Sequence, residues 1–591
     1  MTDIVVGMTG SQVRSALNTN FDTLDNKTFI NVKEYGAIGD GETDDKMAIS
    51  DCLTAAQGKT IYFPSGTYKI TGGLTITLDD PVTIYGENAI LLGDSVSTGV
   101  SVLGISASVG DIDYLTADVD SGNYTATPTN PDNFATGDFV ILKDDVILRS
   151  LEGNNIYNGE ILQILSITNG VIRFHTPVMG NYLLTENVGI KKINSNPVII
   201  SGLQIIGGTG ENTSMCGLQI FNRANVNIHN NIASKCGLGG IVLNGCINGT
   251  VYGNYVFDCY VAGNGYGITI NSSKFINVFD CNITECRHCI VTGGSYPNYN
   301  INIHNNIVAS STVVVPSSNG AISAHFFDYY ITIKDNVVFG DGIFSLARSY
   351  AISGNTIYIT ENNQMGINAY FHTMYAASVI IENNNFIQLR DDVVGNTAIR
   401  LDSENNDVTI KSIIIQNNTT DGFSSDINLF TSSFAGIVIN NLIIKNNNFN
   451  SSQVFNDFVS TDITVGTAVI EGNIFKSTFW FIVDSITNLT FKNNQITQSI
   501  AGKLLYLSAI THAIVSDNIF DSNTDDECVT IANITTLIFM NNVIKNCTAE
   551  NAVLLDTIVN LINQGNSIDN CSNAISKVSI TNDQSGTNFT Y

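Results

Sequence analysis

The sequence is poor in charged residues, in proline and above all in basic side chains. Of its 591 residues 13% are charged, about half of the roughly 25% in an average soluble domain, whereas 43% are hydrophobic. No stretch reaches the ~20 consecutive apolar residues of a membrane-spanning helix, so we expect no membrane partner. The N-terminus also lacks the basic and apolar stretches of a secretory signal. The composition therefore predicts a chain with a large core and no membrane anchor.

Basic residues are outnumbered two to one by acidic ones. Lys and Arg total 26 against 53 Asp and Glu, which gives a formal net charge of −27. A surface of that sign repels the phosphate backbone, so we expect no nucleic-acid partner. Proline is also scarce, with eight residues, while Asn, Ile, Thr and Ser are abundant. Such a composition favours β-strands joined by Asn- and Gly-rich turns over long helices.

Cysteine is present in a pattern that does not predict disulfides. The eleven cysteines are an odd number without a framework spacing, so we expect free, mostly buried thiols. The close spacing of Cys281, Cys286 and Cys289 leaves a metal site open as an alternative. In a repetitive fold, however, such thiols are more often stacked in the core. We therefore predict no metal and no cofactor.

A repeated motif occupies the last two thirds of the chain: a small or polar residue, then Asn, then an apolar residue one or two places on. Short strands precede most of these Asn residues, and the mean spacing is about 26 residues. A strand-only repeat of this period is typical of a parallel β-helix, whose coils stack ~4.8 Å apart into one core. Asn suits the corner because it tolerates left-handed backbone angles and its amide can bond the Asn above and below. An irregular Asn-rich sandwich is the alternative. The predicted corner residues are Asn231, Asn254, Asn282, Asn306, Asn336, Asn355, Asn385, Asn418, Asn448, Asn473, Asn494, Asn518, Asn542 and Asn566.

The repeat begins after a distinctive glycine-rich segment. Residues 31–45 read NVKEYGAIGDGETDD, and residues 62–68 read YFPSGTY. Thr43 or Asp44 is expected to N-cap a helix that runs to about residue 57 and plugs the open end of the solenoid. These two motifs resemble the start of the pectate-lyase-like right-handed β-helix of bacteriophage tailspikes and capsule depolymerases.

The predicted fold is all-β, a right-handed parallel β-helix with a short N-terminal helix and a small inserted β-domain. Antiparallel strands are expected in the insertion, because residues 134–142, 160–165 and 170–174 interrupt the repeat. Residues 7–24 are similar to N-terminal virion-attachment segments of phage tail fibres. The predicted parts are 1–28, an attachment segment; 29–92, the start of the β-helix with its capping helix; 93–195, the inserted β-domain; and 196–591, the β-helix body.

A polar cluster is expected on one outer face of the late coils. Asp402 and Glu404 lie two residues apart on one strand face, about 7 Å between Cα atoms, which suits the ~6.5–9.5 Å carboxyl separation of an inverting glycosidase. Asp391 and Asp392 are reserve acids. A first outward column of small residues is expected to form a smooth floor beside this cluster. Arg348 and Arg400 could bind an acidic sugar and Tyr370 could stack on a ring. The remaining predicted substrate-binding residues are Asn368, His325 and His372.

A second candidate site lies in an earlier coil. Arg287 and His288 adjoin one another, and such a pair suits a lyase in which His abstracts a proton while Arg neutralises a carboxylate. Both residues are predicted to be catalytic in that alternative. A corner held by local hydrogen bonds is the other interpretation.

The resemblance implies a function that the composition and spacing do not. It suggests a phage tailspike that binds and depolymerises a bacterial surface polysaccharide, by hydrolysis more than by elimination. It also implies a homotrimer that is assembled in the host cytoplasm, attached to a tail or baseplate protein through residues 1–28, and active at the bacterial cell surface. A non-enzymatic glycan-binding virion adhesin and a cellular pectin-type enzyme are the alternatives.

Overall fold

The fold is described from a computed structural model, and the predicted parallel β-helix is confirmed. Strands account for 64% of the residues and helices for 4%. Among the described residues, no helix combines the length and the apolar character that crossing a membrane requires. The chain divides into two units, Met1–Ile301 and Asn302–Tyr591. The predicted N-terminal helix lies outside the described residues. The structure describes residues 29–590 except 95–96, 152–153, 209–214, 262–263, 311–319, 326–327, 372–376, 391, 393, 404–405, 430–435, 451–455, 477–478, 499–503, 523–527, 548–550 and 572–573.

In the first unit each coil contributes strands to three stacks of parallel strands. The long strands Val82–Gly93 and Val198–Ile206 turn the corner between the first two stacks and belong to both. The other strands of the first stack are Phe29–Asn31, Thr60–Phe63, Val226–His229, Ile247–Tyr252, Lys274–Phe279 and Tyr299–His304. Those of the second stack are Asp40–Asp44, Gly66–Ile70, Ile232–Ser234, Tyr255–Phe257 and Asn282–Cys286. Those of the third stack are Leu74–Thr77, Ser101–Ser106, Cys216–Phe221, Gly239–Asn244, Tyr266–Asn271 and His288–Gly293.

An antiparallel six-stranded sheet interrupts the coils of this unit. Its strands are Asp113–Tyr114, Thr125–Ala126, Phe139–Leu151, Asn154–Thr168, Val171–Phe174 and Gly189–Ile193. One face of the sheet encloses a core of its own around Tyr182 and Phe174. The other face, with Ile141 and Ile161, packs against Ile247 of the solenoid. The predicted insertion, 93–195, thus contains this sheet together with one solenoid strand, Ser101–Ser106.

A buried arginine ties the insertion to the coils. Arg223 is 0% exposed. Its guanidinium donates to Asn194 Oδ1 at 3.0 Å and to the Asn196 carbonyl at 3.2 Å, just where the insertion ends. It also donates to the carbonyls of Leu78 and Asp80 in an earlier coil. Because a buried cation is costly without partners, these bonds from Nη1 and Nη2 favour one position for the return point of the chain.

The second unit repeats the same three-stack plan and then changes. Its first-stack strands are Tyr329–Lys334, Ser349–Ser353, Ala377–Glu382, Thr409–Gln416 and Ile437–Lys445. Its second-stack strands are Ile307–Ser310, Val337–Phe339, Thr356–Ile359, Asn385–Gln388, Thr419–Asp421, Asn448–Phe449, Ile474–Phe475, Gln495–Gln498, Ile519–Ser522, Val543–Lys545, Ser567–Asp569 and Phe589–Thr590. Its third-stack strands are Ile322–Ala324, Ile343–Ser345, Met365–Phe371, Thr397–Ser403 and Ser425–Leu429. In the last coils the third and first stacks merge into long strands, Asn456–Glu471, Phe479–Lys492, Leu505–Ser516, Val529–Met540, Val553–Gln564 and Ile575–Asp583.

The predicted Asn ladder forms the corner between the first and second stacks. In the second unit each ladder residue donates its backbone N–H to Oδ1 of the next, at 2.9–3.1 Å. Asn306, Asn336 and Asn355 therefore line one edge, as the spacing predicts. In the first unit Asn231 and Asn254 make the same bond at 2.9 Å.

Three predicted corner residues are wrong by one position. The ladder places are held by Cys281, Asn384 and Asn447, whereas Asn282, Asn385 and Asn448 are exposed. The left-handed backbone belongs to the residue before the ladder position, with φ near +55° at Asn383 and Asn446. Ladder bonding and the left-handed angle thus belong to adjacent residues. At 383–385 and 446–448 a run of three Asn concealed which residue has which role, and at 281 the ladder residue is a Cys.

The capping helix begins one residue later than predicted. It spans Lys46–Ala55 with Asp45 at its N-cap, and Asp40–Asp44 is a strand. Asp45 makes no side-chain cap bond. Its carboxylate instead accepts the N–H groups of Ile38 at 2.6 Å and Gly39 at 3.0 Å. The buried aspartate therefore holds the glycine-rich loop closed over the first coil.

Candidate functional site

The third stack of the second unit brings several predicted site residues into register. Phe344, Asn368 and Arg400 are direct partners on successive strands. Tyr370 and Asp402 are partners two residues further along the same strands. Since side chains on one face of a strand alternate, these five residues share a face of the sheet. Residues far apart in the sequence thus lie next to one another on successive coils.

Arg400 and Asp402 form an ion pair at the centre of this face. Arg400 Nη2 donates to Asp402 Oδ2 at 2.9 Å. The Asp402 side chain is 0% exposed, and that of Arg400 is 26% exposed. The other carboxylate oxygen accepts the Ser403 N–H at 2.9 Å. Arg400 Nε is buried without a hydrogen-bond partner among the described residues. The pair therefore forms a fixed, nearly neutral group on this face.

Aromatic rings continue the face on the earlier coils. The Phe344 ring lies 5.7 Å from that of Tyr370 and 5.5 Å from that of His325. Ser323 Oγ is within 3.2 Å of a ring nitrogen of His325, which orients the imidazole. The sequence analysis did not predict the central ring, Phe344. Its position as the third residue of an aligned strand, where side chains were expected to face outward, was the available signal. The Phe344 ring thus lies between the rings of His325 and Tyr370.

Two further predicted residues take partly structural roles. The Arg348 guanidinium lies 4.2 Å above the centre of the Tyr329 ring, a cation–π contact. Asn368 is 5% exposed between Phe344 and Arg400. Glu404, His372 and Asp391 lie outside the described residues. Asp392, the other reserve acid, is paired with Arg390 at 2.7 Å on the surface.

The expected floor of small residues is wrong, because that column faces the core. A Cβ on Gly240 would lie 2.5 Å from Val256, and one on Gly366 would lie 2.5 Å from a ring carbon of Phe386. Val256 and Phe386 are fully buried side chains of the second stack. The chain bends into the third stack at these residues, so the outward alternation begins only after them. Small side chains are required there to let the two stacks meet.

The second candidate pair lies in the first unit. His288 is 1% exposed and its ring stacks on Tyr266, with centres 5.8 Å apart and planes 8° from parallel. Its backbone N–H donates to the Gly265 carbonyl at 3.1 Å. Arg287 is partly exposed. A general base must reach the proton that it removes. The His288 ring is enclosed in this conformation, so it does not meet that requirement.

The thiols lie where the sequence predicts. All eleven cysteines are free and nine are buried. Burial raises the pKa of Cys246 to about 12, and that of Cys281 to about 11. Within the described residues no three His, Cys, Asp or Glu side chains are arranged to hold a metal ion.

Comparisons with known proteins agree with this architecture. Residues 29–140 match the family model described as rhamnogalacturonase A/epimerase, pectate lyase-like. The tailspike of Pseudomonas phage phi297 superposes with a TM-score of 0.56 at 17% identity, covering 81% of this chain and 82% of the other. The chain has the fold of a phage tailspike.

Curated relatives match shorter parts of this tailspike-type β-helix. Alginate lyase 7 of Azotobacter vinelandii is 35% identical over 126 residues, 18% of this chain and 14% of the lyase. The plasmin and fibronectin-binding protein A of Streptococcus pneumoniae is 27% identical over 167 residues, 24% of this chain and 23% of that protein. The chain therefore spans less than a quarter of the length of either relative.

Proposed function

We propose that this chain is a tailspike-type protein that binds and depolymerises a bacterial surface polysaccharide. The observation that carries the proposal is the face of the second unit on which the Arg400–Asp402 ion pair lies one strand from Tyr370 and two strands from Phe344. The tailspike fold and the pectate-lyase-like family match support a polysaccharide as the substrate.

The face offers the two contacts that sugars use. Aromatic rings can pack against the C–H surfaces of a pyranose, and charged donors and acceptors can bond its hydroxyls. The Arg400 side chain is 26% exposed, and its charge is balanced by Asp402. A balanced pair favours hydroxyl groups over a strongly anionic sugar at this point. The acidic-sugar role predicted for Arg400 is therefore weaker than its role as a hydroxyl donor.

The proposed reaction is hydrolysis with Asp402 and Glu404 as the acid pair. One carboxyl group would protonate the glycosidic oxygen, and the other would activate a water on the opposite side of the sugar. Both oxygens of Asp402 are engaged, by Arg400 and by the Ser403 N–H. Catalysis by Asp402 therefore requires the bound polymer to draw Arg400 away and free Oδ2.

Elimination is the second candidate, favoured by the match to an alginate lyase. Arg287 and His288 would then supply the cation and the base. This route requires the His288 ring to leave its stack on Tyr266. A purely adhesive role is the third candidate, and the match to a plasmin- and fibronectin-binding protein supports it.

The test is digestion of purified capsular and exopolysaccharides, followed by analysis of the products. New reducing ends without absorbance near 232 nm would support hydrolysis, and such absorbance would mark a lyase. We expect Asp402→Asn and Glu404→Gln each to lower the rate by about 10²-fold or more. Glu471→Gln, which alters a surface ion pair with Lys445 in the same unit, is the matched control.

Three outcomes would separate the candidates. Full activity in both acid variants would reject the acid pair. Loss of activity only in His288→Gln would favour elimination. Binding of a polysaccharide without any product would leave an adhesin.

We also propose a homotrimer in the virion that is attached through residues 1–28. Light scattering of the full chain and of a chain lacking residues 1–28 checks the assembly state.

A further inference from the structure

A polar cavity of about 90 Å³ lies in the first unit, between the inserted sheet and the solenoid. One wall consists of Lys191, Ile141 and Ile161, which are direct neighbours across three antiparallel strands. The opposite wall is built by turns of successive coils. Its lining residues are Asn222, Asn244, Gly245, Ser272, Ser273 and Ser295.

The two walls are tied together at one end. The Tyr157 N–H donates to the Ser295 carbonyl at 2.8 Å. Tyr296 lies against Gly159, where a Cβ would be 2.5 Å from its ring. This contact tolerates no side chain larger than hydrogen. Specific contacts between the inserted sheet and the coils therefore bound the cavity, so it is not a gap left by poor packing.

Lys191 gives the cavity a positive charge. It is half-buried, and burial together with Lys143 lowers its pKa. Within the described part of the chain Lys191 makes no ion pair, whereas the next residue, Lys192, binds Asp138 at 2.8 Å. A cation that is removed from water without a partner favours an anionic occupant.

Glu160 does not offset this charge from within the cavity. Its neighbour on the strand, Ile161, faces the cavity, whereas the Glu160 side chain is 0% exposed and accepts from the Met179 N–H at 2.8 Å and the Tyr182 hydroxyl at 3.2 Å. Tyr182 belongs to the core on the other face of the inserted sheet.

We propose that this cavity binds the carboxylate edge of an acidic sugar. The carboxylate pairs with Lys191, and adjoining hydroxyls bond the serine and asparagine side chains of the lining. The volume corresponds to roughly three waters of ~30 Å³ each. It accepts a carboxylate and a neighbouring hydroxyl while the sugar ring stays at the mouth. The site belongs to the first unit, so it does not depend on the acid pair proposed above.

The test is a calorimetric titration of the full chain with glucuronate, with glucose as the uncharged control sugar. We expect saturable glucuronate binding that is about tenfold or more tighter than that of glucose. Lys191→Met should weaken glucuronate binding by about tenfold, because it removes the charge and keeps the length. Lys191→Arg should retain binding, and Lys192→Met is the matched control on the next residue.

Several results would overturn the proposal. Absence of saturable glucuronate binding to the wild-type chain would leave a water-filled cavity. Equal affinity for glucose would remove the role of the charge. Equal losses in Lys191→Met and Lys192→Met would indicate a general charge effect. Thermal melting of each variant shows whether it is folded, and glucuronate-soaked crystals of the wild-type protein, which should show the sugar at Lys191, decide the matter independently of any variant.

Discussion

Removal of one amide from the middle of the Asn ladder tests the physical basis of the fold. Asn518 is 0% exposed in the second unit. Its Nδ2 donates to the Phe491 carbonyl at 3.0 Å and to Asn542 Oδ1 at 2.9 Å. Its Oδ1 accepts the backbone N–H of Asn494 at 2.9 Å and that residue's amide at 3.1 Å. Asn518→Ala therefore deletes four hydrogen bonds and leaves a buried backbone N–H without an acceptor.

The expected cost follows from those contacts. Each bond contributes about 1 kcal/mol, and an unsatisfied buried donor costs about 1–3 kcal/mol. The free energy of local opening should fall by about 5–7 kcal/mol, roughly 10⁴–10⁵-fold in the opening equilibrium. Because a solenoid is stabilised by nearest-neighbour coils, the loss should be concentrated in coils adjoining Asn518.

Hydrogen exchange measured by mass spectrometry checks this prediction. Segments that contain Asn494, Asn518 and Asn542 should lose protection strongly, and distant coils of the same unit should change little. Asn560→Ala is the control, since Asn560 is an exposed asparagine whose removal should cost at most about 0.5 kcal/mol. Indistinguishable exchange in the two variants would refute the ladder as a source of stability.

Three further predictions concern the first unit and the thiols. Arg223→Met should lower the melting temperature markedly, because three carbonyl or amide acceptors lose the bonds donated by a buried guanidinium, at a cost of about 3 kcal/mol. A melting temperature equal to that of the wild type would contradict this role of Arg223. Burial raises the pKa of Glu160 above its ordinary 4.5, so the folded state binds the proton more tightly and this group's contribution to stability falls as pH rises from 4.5 through the folded pKa. Burial lowers the pKa of Lys274 below 10.5, so its contribution rises as pH climbs from the folded pKa to 10.5. The melting temperature of the wild type should fall relative to that of Glu160→Gln as pH rises from 4.5 through the folded pKa of Glu160. A thiol reagent should modify at most Cys216 and Cys571 in the native protein and all eleven cysteines after denaturation; rapid reaction of more than two would be inconsistent with the burial.

The sequence by itself predicted the parallel β-helix, the corner asparagines and the buried thiols. Each is a local pattern repeated many times, so an error at one coil, such as Asn385 in place of Asn384, does not disturb the conclusion. Only the tertiary structure decided which side chains meet. The ion pair of Arg400 with Asp402, the inward turn at Gly366 and the cavity at Lys191 depend on bends, on register and on contacts between distant segments. Those contacts are set by packing, and no repeated pattern in the sequence predicts them.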